Sequence, residues 1–191
     1  MSTLSSSLRQ RTIETARRVR ATHPVYVDTE TTGLERSDEI IEISIVDDDG
    51  SVLLETLVKP SQSIPADATR IHGITNQEVK NERTWPVIWP TIRGLLFGRL
   101  IVFYNQDFDL RMMQQSHARY NLPWKDKLNT FDLLKLYAEY RGDWDPIRRA
   151  YRYHSLANAG RDCHIPLPNA HRSTADSLLT RALLHYISDS Q

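Results

Sequence analysis

The run Val25-Tyr26-Val27-Asp28-Thr29-Glu30 is an apolar strand that ends in two carboxylates two residues apart. Side chains of a strand alternate between faces, so Asp28 and Glu30 project from the same face and stand close together. Two like charges held there repel, and burying an ionised carboxylate without a partner costs on the order of several kcal/mol. A divalent cation is the simplest compensation. A chain that keeps this strand inside must therefore build a fold that supplies further ligands to it.

Two such ligands are legible downstream. Asp109 shares a helical stripe with Met112, Met113 and Ser116, at i+3, i+4 and i+7, which turns its charge inward. Asp176 opens a second stripe with Leu179, Leu183 and Tyr186. Either acid alone could simply meet the positive end of its helix. Four acids with inward faces in one chain point to a shared metal site. His171 precedes Asp176 in a segment with Pro166 and Pro168, which places it in a loop ahead of the helix. An imidazole beside such a cluster can take a proton from water, since its ordinary pKa is about 6.5. His23, His117, His154, His164 and His185 are expected at the surface.

The pattern along the chain predicts an α/β fold. Val25–Thr29, Ile40–Val46 and Val52–Val58 form an antiparallel meander, with the second and third strands joined by the turn Asp47-Asp48-Asp49-Gly50. The three turn acids are expected to be solvated. Residues 60–83 read as loop with short helical pieces. Helices are predicted over Trp85–Leu96, Gln106–Arg119, Asp132–Tyr140, Ser155–Asp162 and Arg172–Ile187, and strands over Leu100–Phe103 and Leu128–Phe131. Strands first in a hairpin run and then alternating with helices give a mixed sheet, a three-strand antiparallel meander plus parallel strands, flanked by helices.

Residues 1–23 are Ser- and Arg-rich, with five arginines against Glu14, a composition shared with organelle transit peptides. The stripe Leu4, Leu8, Ile13, Ala16 and Val19 instead favours an N-terminal helical extension packed on a domain spanning residues 24–191. At 191 residues the chain suits one domain burying roughly 70% of its unfolded surface. Lys plus Arg and Asp plus Glu both number 24, so a nucleic-acid partner would have to be gripped locally and not by overall charge. The single cysteine, Cys163, is read as core, consistent with a reducing cytoplasm. No apolar run is long enough to cross a bilayer, so no membrane partner is expected.

Three segments match a known pattern: Asp28-Thr29-Glu30-Thr31-Thr32-Gly33-Leu34, Tyr104-Asn105-Gln106-Asp107-Phe108-Asp109 and His171-Arg172-Ser173-Thr174-Ala175-Asp176. In order, they resemble the three motifs of the DEDDh 3′–5′ exonucleases, the DnaQ-like group that includes the epsilon subunit of bacterial DNA polymerase III and ribonuclease T. The loop Ile71-His72-Gly73-Ile74-Thr75 is similar as well, and the resemblance runs from about Val25 to Ile187.

The resemblance implies a ribonuclease H-like fold, two Mg²⁺ or Mn²⁺ ions, and release of nucleotides from the 3′ end of single-stranded DNA or RNA. By motif, Asp28 bridges both metals, Glu30 and Asp176 hold the one carrying the attacking water, Asp109 supports the other, and His171 is the general base. Thr31, Leu34, His72, Ile74, Asn105 and Phe108 are the implied substrate contacts. A DNA polymerase or another replication or repair protein is the implied partner. One departure is Gln106-Asp107, where a small residue is common, so that an extra acid stands beside the site.

The segment Arg141, Trp144, Arg148, Arg149, Tyr151, Arg152, Tyr153 interleaves cations with rings, which suits a single strand gripped by stacking and phosphate contacts. A plain solvated face is the alternative for Arg148 and Arg149. Two rival functions remain at this level: a non-catalytic nucleic-acid or polymerase-binding module on the same fold, and a phosphodiesterase for small nucleotides or short oligomers. The choice of sugar is not legible, because it turns on one or two local contacts to a 2′-hydroxyl.

Overall fold

Three β-rich stretches separated by turns build the meander, and a strand–helix alternation extends it. The computed structural model describes residues 2–166 and 172–191, with side chains from residue 7 onward. Helix α1 (Ser2–Arg20) leads into β1 (Val25–Thr31), β2 (Ile40–Asp47) and β3 (Val52–Leu57). Short helices α2 (Ala66–His72) and α3 (Asn76–Val79) precede α4 (Trp85–Leu96), β4 (Leu100–Phe103), α5 (Gln106–Arg119), β5 (Asn129–Asp132) and α6 (Leu133–Arg141). A small hairpin, β6 (Trp144–Asp145) and β7 (Ala150–Tyr151), then α7 (Leu156–Asp162) and α8 (Ser173–Asp189) complete the chain.

The main sheet has the order β3-β2-β1-β4-β5. β1 pairs antiparallel with β2 and parallel with β4, and β4 pairs parallel with β5. The carboxylate strand is therefore central. Alternation along it sorts the two cores: Tyr26 packs with Val46, Leu183, Leu184 and Ile187 on the α1/α6/α8 face, whereas Val25 and Val27 pack with Ile88, Ile92, Met112 and Met113 on the α4/α5 face. In α4, Trp85, Ile88, Trp89, Ile92 and Leu96 recur at helical spacing and all are buried.

Helix α1 buries Ile13, Ala16 and Val19 against the α6/α8 side, the stripe expected from the sequence. Its arginines tie it down: Arg17 donates to the Ser188 and Ser190 carbonyls, and Arg20 to Ser188 Oγ and Asp189. Cys163 lies in the same core, where burial pushes its thiol up to about 11, far from a reactive thiolate at neutral pH. No helix among the described residues is long and apolar enough to cross a membrane.

Four local expectations change. The segment after α6 is not only a polar connection but contains the β6–β7 hairpin, too short for periodicity to reveal. His117 is buried, accepting a 2.8 Å hydrogen bond from Trp85 Nε1 inside a cage of Trp85, Trp89 and Trp124. Asp48 is not a solvated turn acid, since it accepts from Tyr26 Oη and contacts His185 Nε2 at 2.9 Å each. Tyr186 is 40% exposed and leaves the α8 seam, whose place Ile187 takes.

Candidate active site

β1 delivers Asp28 and Glu30 to the α8 side of the sheet, at the strand's C-terminal end. Asp176, in the first turn of α8, comes down onto them, and one carboxylate oxygen from each of the three lies within 4.8 Å of the others. Small polar residues permit that approach. Ser173, Ser177 and Thr180 are the buried face of the first half of α8, and Ser177 Oγ meets Ser44 Oγ of β2 at 2.6 Å. Leucines at those positions would hold the helix further from the sheet.

Asp109 arrives from the opposite face. It is buried in the first turn of α5, and accepts a 2.7 Å hydrogen bond from Thr29, whose side chain points away from Asp28 and Glu30. It stands outside the tight group of three but acts on it around the strand end: of the charges felt by Asp28, that of Asp109 is the largest. Asn105, the residue before α5, is exposed and adopts φ 76°, a left-handed conformation that asparagine tolerates better than most residues. Its N–H reaches Asp132 Oδ1 at 3.3 Å.

A fifth acid is present that periodicity did not single out. Glu42 faces Glu30 across the β1–β2 ladder and is 1% exposed at its side chain. Arg172 neutralises it through Nε at 3.1 Å and Nη2 at 2.5 Å, and the Ser173 N–H donates to it at 2.9 Å. Glu42 thus caps α8 from another element, since the helix has no side-chain cap of its own. The sequence signal was a lone charge inside Ile40-Ile41-Glu42-Ile43.

Crowding leaves the acids reluctant to ionise. Burial, followed by the charges of Asp109, Asp176 and Glu30, lifts Asp28 well above the usual carboxylate range. Burial and then Asp176 push Glu30 up to about 8. Burial pushes Asp109 up to about 7 although the Thr29 hydroxyl favours its charge. An all-oxygen donor set of this kind fits a hard divalent cation, which would restore ionisation.

The sign for stability follows. Between pH of about 4.5 and 8 the folded protein retains a proton on Glu30 that the unfolded chain has released. Without metal, stability is therefore expected to fall as pH rises through that window. Millimolar Mg²⁺ or Mn²⁺ at pH 8 should raise the midpoint of thermal unfolding, read by calorimetry against an EDTA control. A metal-free protein more stable at pH 8 than at pH 5 would contradict this account.

Beside Glu30 opens a cleft of about 520 Å³ whose walls include Thr31, Leu34, Ile71, His72 and Phe108. Leu34 and Ile71 are 71% and 62% exposed, a large apolar surface to leave in water. Leu34 is set by a tight turn: a Cβ on Gly33 would lie 2.5 Å from Asp38 Oδ2, and Asp38 is held there by Thr32 and the Glu35 N–H. Arg111 stacks on Phe108 at 5.4 Å and donates to the Leu34 carbonyl. His72 is buried in the wall, its Nδ1 accepting from the Ile74 N–H at 3.0 Å.

Not every expected contact reaches this cleft. Ile74 is 1% exposed and packs with Ile41, Ile64 and Val79, because the left-handed Gly73 turns the loop back into the core. Arg148 and Arg149 sit on the β6–β7 hairpin, exposed, and do not line it. Asp107 is exposed and paired with Lys135 at 3.3 Å, so its charge is offset. His171 lies outside the described residues.

A family model described as an exonuclease (RNase T type) matches residues 25–184. An uncharacterized exonuclease of Escherichia phage 186, CP81, is 39% identical over 168 residues, 84% of this chain and 85% of that protein. The DNA polymerase III subunit epsilon of Rickettsia typhi is 24% identical, over 76% of this chain and 68% of its own. Among solved structures, exonuclease X in complex with 5′ overhanging duplex DNA superposes with a TM-score of 0.64 at 26% identity, covering 85% of this chain and 89% of the other. Exonuclease I shares the fold, with a TM-score of 0.69 at 21% identity over 87% of this chain and 41% of its own. Carboxylates assembled from β1, α5 and α8, beside an open apolar cleft, thus occur in a chain that belongs to the exonuclease family.

Proposed function

We propose that the protein is a 3′–5′ exonuclease that hydrolyses the terminal phosphodiester of single-stranded DNA or RNA with the help of two divalent ions, Mg²⁺ or Mn²⁺. The observation that carries this is the convergence of Asp28, Glu30 and Asp176 within 4.8 Å beside a cleft of about 520 Å³. A non-catalytic module has no physical need for acids this crowded.

Asp28, Glu30 and Asp176 would hold one ion, and Asp28 with Asp109 the other. Bound ions supply neutralisation of the phosphate and of the charge that builds on the attacking and leaving oxygens. The chain's own groups do the rest. Leu34, Ile71 and Phe108 take the terminal base, with the Arg111 guanidinium steadying the Phe108 ring. Thr31 and His72 close the wall behind it, whereas Asn105, exposed just ahead of α5, does not line the cleft. His171 accepts a proton from the attacking water as the new P–O bond forms and the bond to the 3′ oxygen breaks, that oxygen taking a proton from solvent to leave as a 3′-hydroxyl.

His171→Ala should lower the rate by roughly two to four orders of magnitude, the usual contribution of a general base. At saturating Mg²⁺, where the acids are already ionised by the metal, activity of the parent should rise from acid to neutral pH as the imidazole loses its proton, and that rise should vanish in the variant. A parent profile flat down to a pH of about 5 would remove His171 from this role.

The reading is tested with DNA and RNA strands labelled at either end, with Mg²⁺ or EDTA and with Asp28→Ala as control. A 3′ label should appear first as mononucleotide, only with metal and only in the parent. Early release of a 5′ label, or internal cuts, would refute the polarity. Turnover that does not improve beyond a dinucleotide would favour the small-nucleotide phosphodiesterase.

A further inference from the structure

The β6–β7 hairpin and α1 carry a cationic, ring-studded groove that the active-site cleft does not use. Lys135 of α6 joins the two regions. Its ammonium reaches Asp107, the neighbour of Phe108, and it also lines a groove of about 340 Å³ with Trp144, Arg149 and Tyr153. The hairpin's exit is fixed to the same corner, because Tyr104 Oη at the end of β4 donates to the His154 carbonyl at 2.6 Å. Beyond Trp144 and Tyr151 the groove continues into a hollow of about 400 Å³ bordered by Arg9 and Arg11 of α1.

Many cations here are already committed. Arg152 pairs with Asp143 and Asp145, and Arg141 with Asp162. Arg9 stacks on the Tyr140 ring. Among the described residues, Arg11 and Arg149, which line these hollows, and Arg148 on the same hairpin turn, beside Tyr151 and Tyr153, form no ion pair and are exposed; the exposed acids along the path are Glu139 and Asp107, the latter paired with Lys135. Their presentation is set by the backbone. Asp145 Oδ1 accepts from the Ile147 and Arg148 N–H groups at 2.9 and 3.1 Å, and Arg149 adopts φ 51°, so the turn is closed from within. Trp144 and Tyr153, 49% and 62% exposed, stand between these cations. Unpaired arginines alternating with open rings suit a single-stranded nucleic acid, whose phosphates and bases alternate in the same way.

We infer that the strand whose 3′ end enters the cleft runs on past Lys135, over the hairpin and along α1, so that Arg148, Arg149, Trp144 and finally Arg11 grip its 5′-ward nucleotides. This inference rests on the proposed exonuclease reading for its direction. It assigns the hairpin to holding the substrate several nucleotides away from the reacting bond.

The test is a binding series in the Asp28→Asn protein, which keeps strands intact, using oligothymidylates of about 4 to about 16 nucleotides, the span over which such grooves fill. Affinity should rise at least roughly tenfold with length and then level off. Arg148→Ala with Arg149→Ala should remove most of that gain and lower the salt slope by about one to two. Arg11→Glu should remove only the last increment. Affinity independent of length, or loss by the same factor for short and long strands, overturns the groove. Failure of the parent to degrade 3′-labelled strands would overturn the exonuclease reading while leaving the length series to stand by itself.

Discussion

Asp28→Asn is expected to abolish metal-dependent nucleotide release and at the same time make the metal-free protein harder to unfold at pH 8. Asp28 stands in the site's most crowded position, held above the ordinary carboxylate range by burial and by Asp109, Asp176, Glu30 and Glu42. Asparagine keeps the shape and removes the charge. Release should fall by more than about a thousandfold, beyond the roughly 10- to 100-fold lost when a group merely orients a metal ligand. The thermal midpoint in EDTA at pH 8 should rise by several degrees, and the difference should shrink as the pH falls toward the ordinary carboxylate range, where the unfolded chain takes up the proton as well. Residual hydrolysis near the parent rate, or a lower midpoint at pH 8, would remove Asp28 from the centre of the cluster.

Arg172→Ala has the opposite sign and the largest expected stability loss. Glu42 is 1% exposed, and Arg172 supplies its counter-charge, leaving only the Ser173 N–H if the guanidinium is removed. Breaking one side of a buried pair costs about 3–5 kcal/mol, and the lower end applies because Arg172 itself is 45% exposed. Adding Glu42→Gln should restore a large part of the loss, since no buried charge is then left unpaired. Urea unfolding of the two single variants and the double variant gives the coupling directly. Equal, additive losses would show that the pair does not act as a unit.

The sequence was readable where one element carried both the pattern and the chemistry. Alternation along β1 placed Asp28 and Glu30 on one face, and the i+3, i+4, i+7 stripe placed Asp109 inward with Met112, Met113 and Ser116, all buried. What it did not give was relation between elements. Nothing in α5 says that Asp109 approaches β1 from the far face and is held by Thr29. Glu42 needed the β1–β2 register to become visible as a neighbour of Glu30. His117 looked like a surface histidine until three tryptophans from α4 and the loop after α5 closed around it. Ile74 belonged to a motif-like loop, but a single left-handed glycine sent it into the core.

Asp28 and Glu30 ride on the middle strand of five, flanked by β2 and β4, while β3 and β5 form the margins; Asp109 and Asp176 are brought to them by α5 and α8. Partial openings begin at margins and termini, and the innermost strand separates only when the whole sheet does. A catalyst anchored there keeps these two ligands in register through every fluctuation short of complete unfolding, so a partial opening can withdraw only the acids that α5 and α8 bring.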